Sequence, residues 1–286
     1  MSIFVKNFFN GFFFGMGNVV PGMSGGTIAV SLGFFDNMLS AINGLFKDFR
    51  KQLAFLLPFA LGVLSGIVFF IMLIGSLLKN LAFPTSLLFA GLVAGCVPLI
   101  AKYAFKNGFK LRYIACVLAA FAAVAFMALF RPASDPSAAS AISPQFMFLM
   151  FIGGVIGAIA MIIPGISGSF VLLLMGLYYP AVNNLSAAPS IPVLAGTAAP
   201  LLLGVVTGAL LISKILAYIL EKYSSACYSL ILGFLFGSIF TVLYDASLES
   251  GKNPVSPTIF AVGIVFLAAG TAATYFLSRN ELKKKI

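Results

Sequence analysis

From Leu53 to Leu78 the chain carries no charged side chain, and five further stretches, about 85–101, 113–130, 193–220, 226–244 and 258–277, are as apolar, interrupted only by Lys214. Each is near or above the ~17–25 residues that a helix needs to cross a bilayer. In lipid no water satisfies backbone N–H and C=O groups, so such stretches must bond internally as helices. Charged residues are only 8% of the chain and hydrophobic ones 61%, against about 25% charged in a soluble domain. Too little polar surface exists to cover a globule in water. The chain is predicted to be an all-α integral membrane protein.

The net charge of +10 does not indicate nucleic acid, because the basic residues lie between the apolar runs, as in cytoplasmic loops. Cys96, Cys116 and Cys227 sit within apolar runs and are odd in number; they read as small buried hydrophobes. With no histidine and no Cys-x-x-Cys, no metal site or cofactor is expected. The N-terminal run to Phe14 lacks a small-residue cleavage site, so no removable signal is expected.

Two apolar segments are broken by the same motif. Pro21-Gly22-Met23-Ser24-Gly25 matches Pro164-Gly165-Ile166-Ser167-Gly168 at an offset of 143, and Gly33 matches Gly176 at that offset. Pro58, Gly62 and Gly66 match Pro200, Gly204 and Gly208 at 142, as Gly91 and Gly95 match Gly233 and Gly237. A series this long implies a tandem duplication. The first repeat is placed at 1–140, with a motif-bearing hairpin at about 3–46 and spans at about 53–78, 85–101 and 113–130. The second is placed at 141–286, with a hairpin at about 145–180 and spans at about 193–220, 226–244 and 258–277.

Charge selects the topology. If each motif segment enters and leaves by one face, each half makes three net crossings and the repeats are inverted. That arrangement gathers Lys6, Lys47, Arg50, Lys51, Lys102, Lys106, Lys110, Arg112, Lys214, Lys222, Arg279, Lys283, Lys284 and Lys285 on one side, leaving Lys79, Arg131 and Lys252 on the other. The positive-inside bias favours this model, with both termini cytoplasmic. Within 145–179, two half-helices of ~15 residues would each reach ~22 Å, less than the ~30 Å hydrocarbon core. The expected fold is two inverted-topology repeats, each a re-entrant helical hairpin plus three transmembrane helices, in a single transmembrane domain.

Irregular backbone at membrane depth is tolerated where protein buries it or a wet cavity receives it. Proline ends a helix, glycine frees the backbone, and Ser24, Thr27, Ser167 or Ser169 can cap the helix that follows. The result is a helix N-terminus with free N–H groups inside the bilayer, a site suited to anions. Paired broken helices at a repeat interface point to a transporter's binding site. The candidate substrate-binding residues are Asn18, Pro21, Gly22, Ser24, Gly25, Gly26 and Thr27, with Pro164, Gly165, Ser167, Gly168 and Ser169. The plainer alternative is a kinked, packed helix with back-bonded serines.

Other residues have two readings each. Asn18 either faces the site or caps local backbone. Asp36 is either proton-linked or a solvated loop carboxylate. Lys214 is either a functional intramembrane cation or a snorkelling side chain. The four Gly-x3-Gly pairs read as close helix packing, within the bundle or between subunits. The patch of Phe8, Phe9, Phe12, Phe13 and Phe14 reads as packing or lipid-facing surface, or as an acyl-chain groove. Seven acidic residues, none in a motif, leave no catalytic set, so the chain is not read as an enzyme.

The segments Asn18–Asp36 and Pro164–Tyr178 resemble the polyprenyl-phosphate (undecaprenyl phosphate) transporter family of bacteria and archaea, formerly a domain of unknown function. The resemblance covers essentially the whole chain. It implies a flippase returning undecaprenyl phosphate, the lipid carrier of cell-wall precursors, from the outer to the inner leaflet of the cytoplasmic membrane. H+ or Na+ coupling is a possible addition. An anion channel or small-anion transporter is the alternative, and a membrane-embedded enzyme on lipid head groups is a third reading. The sequence leaves the oligomeric state open.

Overall fold

The computed structural model describes residues 3–19, 24–130, 141–163, 167–187, 190–252 and 255–284. Among them are helices and no strand. The first half holds α1 (Ile3–Val19), α2 (Gly25–Ser31), α3 (Phe35–Asn43), α4 (Phe49–Ala94), α5 (Val97–Ala104) and α6 (Leu111–Leu129). The second half holds α7 (Pro144–Ile162), α8 (Gly168–Leu174), α9 (Tyr178–Ala187), α10 (Ile191–Val193), a π-helical segment (Leu194–Ala198), α11 (Ala199–Lys222), α12 (Ser224–Lys252) and α13 (Pro257–Lys284). Among the described residues, seven segments are long and apolar enough to cross a membrane: Phe49–Leu73, Leu81–Ala104, Leu111–Leu129, Pro144–Ile162, Ile191–Lys222, Ser224–Leu248 and Pro257–Phe276. The molecule is a multi-pass membrane protein.

Six of these match the expected spans. The seventh is α7, the outgoing arm of the second motif segment. The expectation of two similar half-helices therefore needs correction. The outgoing arms α1 and α7 have 17 and 19 residues, about 25 and 28 Å. The return is broken into α2 and α3, of 7 and 9 residues, and α8 and α9, of 7 and 10. The second interruption in each return falls on a matched glycine. Gly33 and Gly176 both have φ 70°, a left-handed conformation that favours glycine. In each, the next residue's N–H reaches back five positions, Phe34 to Ala29 O at 3.0 Å and Leu177 to Leu172 O at 2.9 Å. This is a Schellman ending in both halves.

The Gly-x3-Gly pairs bring helix backbones together within the chain. A Cβ on Gly62 or Gly66 would strike the Phe8 or Phe12 carbonyl of α1, and one on Gly204 or Gly208 the Phe151 or Val155 carbonyl of α7. Gly91 and Gly95 lie against the Leu267 and Thr271 carbonyls of α13, and Gly233 and Gly237 against Val117 and Val124 of α6. Lipid supplies no hydrophobic drive between helices, so such close contact is the source of cohesion. The last two pairs cross between halves: α13 packs on α4, and α6 on α12.

Those contacts also fix direction. Each advance of four residues along α4 matches four along α1 in the same sense, so the two helices are parallel. Between Val19 and Phe49 the chain thus returns to the end of the bundle where α1 began. The α7–α11 pair repeats the arrangement. At Leu81 (φ −140°, ψ 48°) α4 reverses. The rings of Phe70 and Phe89 come within 6.4 Å, where a straight helix would hold them about 28 Å apart. The Thr85 hydroxyl takes up the Leu81 carbonyl at 2.7 Å. α13 is parallel to the second arm of α4, and α12 to α6. By this chain of contacts α1 and α7 run in opposite senses. The start of α1 and the end of α13 lie at one end, with the turn after α5 and the α11–α12 connection. Lys106, Lys110, Arg112 and Lys222 are there, which makes it the basic end.

One element escaped the sequence. Pro200 has no N–H for the carbonyl of Gly196, and the turn before it widens into the π segment Leu194–Ala198.

Candidate functional site

The first break is closed by its own side chains. Ser24, extended at φ −122° and ψ 154°, caps α2; its Oγ accepts the Thr27 N–H at 3.3 Å. Thr27 Oγ1 lies 3.3 Å from Ser24 Oγ. Asn18 bridges the two helices: its Nδ2 donates to the Phe14 carbonyl at 2.9 Å, and its Oδ1 accepts the Gly25 N–H at 3.1 Å. Of its two readings, the structure displays the backbone cap. Gly25 allows this approach, since a Cβ there would meet the Phe14 ring at 2.7 Å. Ser24, Gly25, Gly26 and Thr27 are all buried, and the Ser24 and Thr27 side chains are wholly so. Pro21 and Gly22 lie outside the described residues.

The second break differs. Ile163 ends α7 in an extended conformation (φ −69°, ψ 118°). Pro164 and Gly165 lie outside the described residues. Ser167 starts α8 without capping it by a side-chain bond. Its Oγ instead pairs with Ser169 Oγ at 2.9 Å. Ser167 is half-buried and Ser169 exposed, while Gly168 is buried against Met161 and the Gly157 carbonyl. As numbers rise along the return, partners on α7 fall: Gly168 meets Met161 and Gly157, Leu172 meets Gly157 and Gly153, and Leu177 meets Gly153. α8 therefore lies back along α7.

The two breaks touch. Ser24 Oγ donates to the Ile163 carbonyl at 3.3 Å, across 139 residues, and α2 packs on α7. The motifs of the two halves thus share one place. What they bring there is hydroxyls and backbone, with no charged side chain among the twelve candidates. Such a set of neutral donors suits solvation of an anion. Among the described residues no group of three or more His, Cys, Asp or Glu is placed to hold a metal.

A second polar feature was only half legible. A cavity of about 360 Å³ opens at the basic end, lined by Asp36, Ser40, Tyr103, Lys106, Glu221 and Tyr228 among others. Asp36, in the first turn of α3, is exposed to it. Lys214 is exposed on the outside of α11 and takes no part in either site. In the phenylalanine patch, Phe14 is buried on Phe59, Phe12 packs on Phe69, and Phe9 and Phe13 face outward.

The chain was compared with known proteins. A family model described as VCA0040-like, undecaprenyl phosphate translocase-like, matches residues 14–256. A polyprenyl-phosphate transporter of Staphylococcus aureus is 32% identical over 266 residues, covering 91% of this chain and 93% of the relative. A polyprenyl-phosphate transporter of Vibrio cholerae is 28% identical over 253 residues, covering 82% and 76%. No solved structure matches significantly.

Proposed function

Because the chain belongs to the undecaprenyl phosphate translocase-like family, we propose that it is a transporter moving undecaprenyl phosphate from the outer to the inner leaflet of the cytoplasmic membrane, for reuse in envelope synthesis. The observation that carries this reading is the Ser24–Ile163 hydrogen bond, a contact between the two interrupted segments that supports a shared site. The opposite senses of α1 and α7, and the return of each motif segment to its starting end, support inverted repeats with re-entrant hairpins. The gathering of basic residues at the end holding both termini supports a cytoplasmic placement of that end.

In this mechanism only the phosphate crosses the ~30 Å core, and the isoprenoid tail stays in lipid. The head group is held between the two tips. Ser24, Gly25, Gly26 and Thr27 serve from one side and Ser167, Gly168 and Ser169 from the other, with Asn18 and the flanking Pro21, Gly22, Pro164 and Gly165 shaping the backbone. Once the head group displaces the Ser24–Ile163, Thr27–Ser24 and Gly25–Asn18 hydrogen bonds of the described conformation, these hydroxyls and amide N–H groups replace its hydration. Neutral donors bind loosely enough for turnover. Access alternates between the faces as one half moves against the other. Inward movement of an anion is opposed by an inside-negative potential, by about 2.3 kcal/mol per charge per 100 mV. Entry of a cation, H+ or Na+, with the cargo removes that cost.

The test is leaflet-resolved transport of a short-chain polyprenyl phosphate in vesicles. Purified protein is expected to transfer it, and Ser167→Ala to slow the transfer. If the protein conducts inorganic phosphate or chloride and leaves the lipid where it was, the channel alternative replaces this reading.

A further inference from the structure

The helices of the two halves follow one another in similar order, yet one contact has no counterpart among the described residues. α3 packs along the end of α11, in the other half. Leu39 and Ser40 share the basic-end cavity with Ala217 and Leu220. Beside it, the Ser213 hydroxyl donates to Asn43 Oδ1 at 2.8 Å, and Asn43 Nδ2 donates to the Ser213 carbonyl at 3.2 Å. The Ser213 side chain is completely buried. In the second half, α9 packs on α8 and on the π segment of its own half, with no comparable seam against α4. At the offsets of the repeat, Asn43 corresponds to Ser186 and Ser213 to Ile71, which faces outward. Among the described residues, the polar exchange is found at one end. The two breaks are unequal as well: Ser24 is fully buried, whereas the matched Ser167 is half-buried.

We propose that the α3–α11 seam is the gate at the basic end, that the Asn43–Ser213 exchange is its latch, and that the described conformation has this gate shut. The inference rests on the alternating-access reading above and adds where one gate lies and what holds it. Two part-buried hydrogen bonds hold the seam, and they are few enough to be exchanged for water when it opens. The cavity is the mouth of the seam. Its polar lining, Asp36, Ser40, Lys106 and Glu221, lets water follow α3 as it parts from α11. In the opposite state this seam is open and α9 closes on α4.

The experiment uses full-length protein in vesicles, in a background with Cys96, Cys116 and Cys227 replaced by alanine and shown to transport. Asn43→Cys and Ser213→Cys are combined and joined by a short reducible thiol cross-linker. Cross-linking is expected to stop polyprenyl phosphate transfer to the level of protein-free vesicles, and reductant to restore it, which excludes misfolding as the cause. Cross-linked protein that still transports, or a pair that never cross-links, overturns the gate. Wild-type protein that transports no polyprenyl phosphate, in a chain whose seam still cross-links in the cysteine variant, overturns the functional reading instead. As an independent arm, Asn43→Ala is expected to speed thiol labelling at Leu39→Cys, which is 3% exposed in the shut seam. An unchanged labelling rate overturns the latch.

Discussion

At the residue scale, two serines at matched positions do different work. Ser24 is bound to three groups: it accepts from Thr27 N–H, lies beside Thr27 Oγ1, and donates to Ile163 O. Ser167 pairs only with its neighbour Ser169 among the described residues. Removing an N-cap costs about 1 kcal/mol. Ser24→Ala is therefore expected to lower the thermal stability of the detergent-solubilised protein as well as transport. Ser167→Ala should lower transport with an unchanged melting temperature; an equal loss of stability in both would contradict the asymmetry. Gly33 and Gly176 offer a symmetric control. Both hold φ 70°, and Gly176 has open space around it. A Cβ at Gly176 pays only the left-handed backbone penalty, about 1 kcal/mol. Gly33→Ala and Gly176→Ala are expected to lower stability alike, as measured by thermal melts side by side.

At the element scale, helix seams depend on glycine for a different reason. Gly62 and Gly204 have the backbone of a neighbouring helix where a Cβ would be, so even alanine must push α1 from α4, or α7 from α11. No flexible side chain is there to yield. Gly62→Ala and Gly204→Ala are expected to destabilise more than Gly176→Ala, and a melting temperature as high as that control's would show the seams to be loose. These seams were legible: glycine pairs four apart in apolar runs leave few uses other than close packing. Their partners were not, since the first and second pairs of each half choose different helices, one within the half and one across it. Spacing along one helix carries no information about which neighbour fills the groove. The π segment was likewise invisible, because Pro58 stands at the matched position inside a regular helix.

At the scale of the whole molecule, direction decides the sidedness. The contacts put the turn after α5 at the basic end and Ser190, just before α10, at the other. Cysteines at Lys110 and Ser190 are expected to react with membrane-impermeant reagents from opposite faces of intact cells or oriented vesicles, Ser190→Cys from outside. Labelling of both from one face would defeat the inverted arrangement. The exchange of α6 and α13 between halves also makes the halves interdependent. Residues 1–140 expressed alone are expected not to form a stable bundle, and co-expression with 141–286 to rescue it, read as co-purification in detergent.

The sequence by itself determined the solvent, the helices and the places where they break. Those are local matters: a backbone in lipid must satisfy its own polar groups, and proline and glycine mark where it does not. It also announced that the breaks come as a pair, through a constant offset. Only the tertiary structure decided that Ser24 meets Ile163, that Ser24 is fully buried while Ser167 is half-buried, and that Asn43 finds Ser213. The sequence already sets Ser169-Phe170 where the first motif has Gly26-Thr27, so the two tips need not be equal; packing added the unequal burial of the matched Ser24 and Ser167. Whether a hydroxyl is buried depends on groups more than a hundred residues away, as at Ser24 beside the Ile163 carbonyl.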